Sequence, residues 1–243
     1  MSKNNEYIDE LDFFIGKYGR DINPEAIIKE DILRQGISFG EVDPEENFSG
    51  KSYFIFSFNV DNDGDVINKK YPEEIALING PYNLRRTIIS VRINKTSPYS
   101  VFYDKESKGY KLYKNKGKDF YYIGDVLFSP EKSYMLKKTE SEKSVRDVAP
   151  TIEWGYLIYL AVFRMCQYFE DASECAFCDM NSNYLNQKKS NKNYSAVKSV
   201  EDILSALSII SDADDSNAGA YTLTGGSIID EIKFKGDTEI DFT

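Results

Sequence analysis

Between residues 51 and 135 short aromatic and β-branched runs alternate with Asn, Asp, Gly and Pro, and no other feature narrows the fold as much. SYFIFSFNV, TIISVRI, YSVFY and DFYYIGDVLF have the period-two character of strands, which place successive side chains on opposite faces of a sheet. The breaks carry turn chemistry, as at Asn79-Gly80-Pro81. Alternating aromatics could stack on bases, but 40 acidic against 30 basic residues, a net charge of −10, repel a polyanion. They read instead as sheet core and cross-strand pairs.

The remaining elements follow from caps and breakers. Asn23 as N-cap, Pro24 at the first helical position and Gly36 at the far end frame a helix whose apolar stripe is Ile27, Ile28, Ile32 and Leu33. Asp61-Asn62-Asp63-Gly64-Asp65 looks like half of a calcium loop, but Val66 stands where the loop needs Gly and Pro72 where it needs Glu. A hairpin turn explains it better. The charged, aperiodic stretch KKTESEKSVR (137–146) reads as an exposed connector, with a boundary near Pro150. Beyond it WGYLIYLAVFRM, anchored by Trp154, is a buried strand or a short buried helix. Ser199-Val200-Glu201-Asp202 offers a capping box ahead of Ile203, Leu204, Leu207 and Ile210, and AYTLT then reads as a buried strand running into Gly225-Gly226.

With 243 residues the chain can hold one large or two small domains. The apolar run at 155–165 is far short of the roughly 20 residues that a spanning helix needs. The N-terminus MSKNNEYIDELDFF is too polar for a signal peptide, so a cytoplasmic protein with no membrane or nucleic-acid partner is expected. The chain contains no histidine, which rules out Ser-His-Asp and Cys-His catalysis and histidine metal ligation.

The chemistry therefore falls on three cysteines, Cys166, Cys175 and Cys178, in a C-x8-C-x2-C pattern. An odd, clustered set is a poor disulfide framework. Zinc would need a fourth ligand, for which a carboxylate such as Asp179 is the candidate. A cubane iron–sulfur cluster held by three thiolates keeps one iron open for a small molecule. Three buried, inert thiols are the third reading.

Three cysteines on a loop after an apolar strand, the last two as Cys175-x-aromatic-Cys178, resemble the cluster loop of radical S-adenosylmethionine enzymes. The following helix and the strand ending in Gly225-Gly226-Ser227 are similar to the next elements of that superfamily. The first gap is eight residues where the superfamily usually has three, and Ser227 stands where an acidic residue is usual. The resemblance implies an α/β fold: an N-terminal α+β, strand-rich domain of unknown role over 1–150, then over 151–243 the first β/α units of a radical SAM barrel of partial TIM type. Two βα units are short of a whole barrel, so the chain would be the N-terminal part of a longer enzyme.

The resemblance further implies that Cys166, Cys175 and Cys178 ligate a [4Fe-4S] cluster. Its open iron would hold S-adenosylmethionine, with Phe177 flanking the adenine and the Gly225, Gly226 and Ser227 segment meeting the methionine end. Reductive cleavage by an electron from a flavodoxin or ferredoxin would yield a 5′-deoxyadenosyl radical that takes hydrogen from an unknown substrate. No residue is assigned a catalytic role beyond cofactor binding. The alternative is a non-catalytic zinc or iron–sulfur protein, structural or electron-transferring.

Overall fold

The computed structural model describes residues 6–40, 48–50, 71–164, 166, 168, 175, 178 and 197–227, with backbone alone for 6–10 and 116. The SYFIFSFNV strand, the turn at 61–65, Phe177 and Asp179 lie outside the described residues.

Two helices open the chain, α1 (Glu6–Tyr18) and α2 (Pro24–Gln35). The second forms as its caps dictate: Asn23 Oδ1 accepts from the Glu25 N–H at 3.0 Å, and Gly36 ends the helix at φ 76°. Ile28 and Ile32 are buried, Ile27 and Leu33 partly so. Helix α1 was not anticipated, because its polar, acidic start masks the Leu11 and Ile15 pair, one turn apart, that packs on the core.

A six-stranded sheet follows, from β1 (Ser38–Phe39), β2 (Glu74–Asn79), β3 (Leu84–Ser90), β4 (Tyr99–Asp104), β5 (Gly109–Lys116) and β6 (Asp119–Phe128), in the order β1-β4-β5-β6-β2-β3. Every neighbouring pair is antiparallel except β1 with β4. The Asn79-Gly80 turn joins β2 to β3 with both residues left-handed, and a Cβ on Gly80 would lie 2.1 Å from the Ile123 carbonyl oxygen, so only glycine fits. Leu77, Ile89, Val101, Leu112 and Ile123 form one core with the two helices. Each such buried side chain contributes about 1.5–3 kcal/mol. Helix α2 is also tied to the sheet by charge. Lys114, 1% exposed on β5, meets Asp31 at 2.8 Å, and the Tyr99 hydroxyl donates to the same carboxylate oxygen at 2.6 Å.

A second core gathers around a 3-10 turn (Ser133–Leu136), α3 (Val145–Val148), β8 (Leu157–Phe163) and α4 (Val200–Ser211), with Tyr134, Val145, Val148, Leu160, Ala206 and Ile210 buried together. Its sheet is β7-β8-β9, where β7 (Thr151–Ile152) runs antiparallel to β8 and β9 (Ala220–Gly225) runs parallel to it. The apolar run is thus a strand, and β8-α4-β9 is a βαβ unit. The protein is a mixed α/β structure, richer in strands than in helices.

Two sequence expectations need correction. The stretch 137–146 is not a free connector: Lys138 pairs with Ser144 in a β-bridge, Thr139 is 3% exposed, and Thr139, Ser141 and Lys143 all bind Asp202 of α4. Its polarity serves one buried carboxylate. Burial acts to raise the Asp202 pKa, but hydrogen bonds from Lys143, Ser141 and Ser199 overcome this and hold it well below the carboxylate range. Strand β9 is not buried either, since Tyr221 and Leu223 are 66% and 62% exposed and its outer edge is open among the described residues.

Candidate cluster site

The end of β8 organises the site. Its ladder with β9 runs in register from Leu157↔Ala220 to Ala161↔Thr224, then shifts by a bulge so that Phe163 faces Gly225. The Gly226 N–H donates to the Phe163 carbonyl at 3.1 Å. Across its other edge Phe163 bridges Val197, and the Lys198 N–H donates to the Val162 carbonyl at 3.0 Å. The chain thus leaves β8 and re-enters α4 through one pinned neck, and the three cysteines lie on the loop between. Gly225 lets the strands approach closely there: a Cβ would stand 3.2 Å from both the Phe163 Cβ and its carbonyl oxygen, close enough that Phe163 would have to shift.

Cys166, three residues past β8, and Cys178 are half-buried, while Cys175 is exposed; all three are free thiols. The Cys178 N–H donates to the Cys175 carbonyl at 3.0 Å, which sets this pair on one tight turn. Gly226 is half-buried and Ser227 exposed. Cysteines and Gly-Gly-Ser therefore share the carboxyl end of the parallel pair, where α/β folds build ligand sites. Among the described residues no three Cys, Asp or Glu side chains are gathered closely enough to hold a metal, so the thiols agree with a cluster in donor chemistry and loop position only.

Two cations at the neck escaped the sequence analysis. Arg164 and Lys198 are each 8% exposed and cap the last carbonyls of α3, Arg164 donating to Asp147 O at 3.0 Å and Lys198 to Val148 O at 2.5 Å. Burial first, and the Arg164 charge second, push the Lys198 pKa down to about 7 against the pull of Asp147. The available signal was a basic residue closing an apolar run, at Arg164. Lys198 gave none.

Among the described residues no helix is long and apolar enough to cross a membrane. No family model, curated protein or solved structure matches the chain.

Proposed function

We propose that this chain carries the cofactor end of a radical S-adenosylmethionine enzyme, its βαβ unit being the opening of the barrel. One observation supports this reading above others: the C-x8-C-x2-C loop and the Gly225-Gly226-Ser227 segment lie at the same carboxyl end of adjacent parallel strands joined through α4. Cys166, Cys175 and Cys178 would hold a [4Fe-4S] cluster and leave one iron open. Bound there, the cluster supplies the electron that cleaves S-adenosylmethionine to a 5′-deoxyadenosyl radical.

The chain's own part is to bind and orient. An ammonium group only donates, so the acceptor it needs there would be a backbone carbonyl or the Ser227 hydroxyl, while the Gly226 N–H is already given to Phe163. The bulge and the Val197 bridge fix the two ends of the segment that carries the thiols. Phe177 would cover the adenine.

Anaerobic reconstitution with iron and sulfide, followed by electron paramagnetic resonance of the reduced protein, tests this reading. We expect a cubane signal that shifts on adding S-adenosylmethionine and is absent in Cys166→Ala. A cluster indifferent to S-adenosylmethionine points to an electron carrier or to a barrel lacking its binding strands, and stoichiometric zinc without iron makes the chain a structural metal protein and overturns the proposal.

A further inference from the structure

A cleft of about 510 Å³ opens at the amino-terminal end of β8, lined by Asn23, Glu25, Lys29, Arg86, Glu153 and Tyr156 among others. It is a different place from the cysteines: the seven residues of β8 separate the two ends by about 20 Å. The cleft lies on the seam between the two sheets, a usual position for small-molecule sites.

Its backbone is strained. Glu153 and Trp154 have φ of 54° and 64°, and Gly155 follows at 89°, three left-handed residues in a row of which two carry side chains. Their N–H groups are locked by a buried carboxylate on the other sheet, since Glu74, 4% exposed, accepts from the Glu153 and Trp154 N–H groups at 2.7 Å each. Such strain persists where surroundings over-determine it, and it collects at ligand sites. Here it turns Glu153 and Tyr156 to the wall facing α2 and β3.

The charges on these walls are unevenly used. Glu25 is occupied, because its carboxylate accepts from the Arg85 N–H, the Arg85 Nε and the Thr87 hydroxyl. The first turn of α2 is already capped by Asn23 and offers no anion site. Lys29 and Arg86, by contrast, have no carboxylate partner among the described residues in a chain of net charge −10; Arg86 instead lies 5.1 Å over the Trp154 ring. Glu153 likewise has no cationic partner among the described residues. With Glu25 engaged by Arg85 and Thr87, two cations and the Glu153 carboxylate remain around the cleft and complement a ligand with two carboxylates and one ammonium.

We infer that this cleft binds a small dicarboxylic zwitterion of the acidic amino acid type, its carboxylates on Lys29 and Arg86 and its ammonium on Glu153. The inference is independent of the cysteine chemistry. Trp154 is the chain's one tryptophan and sits under Arg86, so its fluorescence reports on a change at Arg86.

The test titrates the full chain with L-glutamate, following Trp154 emission and, separately, the heat of binding. We expect saturable binding weakened roughly tenfold or more in Lys29→Gln and in Arg86→Gln, as the loss of a charge-assisted contact requires. Glu153→Gln should weaken L-glutamate but leave succinate unchanged. All three side chains are surface groups, and far-UV circular dichroism confirms that the variants fold. No saturable binding of L-glutamate, binding unchanged in Lys29→Gln, or inorganic phosphate and L-lysine binding as well as L-glutamate would each overturn the inference.

Discussion

Asp31→Asn is the sharpest test of how α2 is fastened to the large sheet. The substitution keeps size and shape and still offers an oxygen to the Tyr99 hydroxyl, so what it removes is the charge opposite Lys114. That ammonium is 2% exposed and 2.8 Å from the carboxylate, whereas Arg34, on the other carboxylate oxygen at 2.7 Å, is 61% exposed. Breaking one half of a fully buried pair costs about 3–5 kcal/mol, because the remaining charge stays desolvated; Lys114 also lies 4.9 Å over the Tyr99 ring, which puts the loss here toward the lower end. Breaking an exposed pair costs about 0.2–1 kcal/mol, which is the expectation for Arg34→Ala. A double variant, Asp31→Asn with Lys114→Met, should recover much of the loss, since both buried charges are then gone.

The assay is urea unfolding followed by far-UV circular dichroism, with Asp31→Asn, Lys114→Met and their double variant closing a thermodynamic cycle against wild type. The pH dependence has a definite sign. Burial acts to raise the Asp31 pKa, but hydrogen bonds from Lys114, Tyr99 and Arg34 prevail and lower it from 3.8. A depressed folded pKa gives stability that is fully present above the unfolded value and lost as pH falls below it, so wild type and Asp31→Asn should converge under strong acid. If Asp31→Asn costs under about 1 kcal/mol at pH 7, no more than Arg34→Ala, then Lys114 is not a desolvated charge that depends on this carboxylate, and the argument fails.

Two further outcomes are expected at the neck of the cysteine loop. Gly225→Ala places a methyl group 3.2 Å from Phe163 and should destabilise by about 1–3 kcal/mol, read as a lowered unfolding midpoint; an unchanged midpoint would mean the bulge yields freely. Lys198 has a folded pKa near 7 against 10.5 for the free side chain, so the folded state binds fewer protons and stability should rise from pH 7 to pH 9 relative to Lys198→Met. Parallel pH profiles for the two proteins would refute this.

Local chemistry carried much of the structure. The Asn23, Pro24 and Gly36 signals delimit α2, the Ser199 cap starts α4, and the aromatic and β-branched runs become β3, β4 and β6, because caps, turns and two-residue periodicity act between residues close in sequence. The cysteine spacing and the Gly-Gly strand end were legible for the same reason. Pairing was not. That β9 leaves its outer edge open among the described residues, that residues 137–146 fold onto Asp202, and that Arg164 and Lys198 converge on α3 depend on residues far apart in sequence. The cleft is the clearest case. Lys29, Arg86 and Glu153 are ordinary surface charges in the sequence, and only the packing of two sheets, with Glu74 locking a strained turn, sets them around one cavity. Sequence determines which residues can ionise, cap or bend; which charges meet is decided where distant segments bury their apolar faces together.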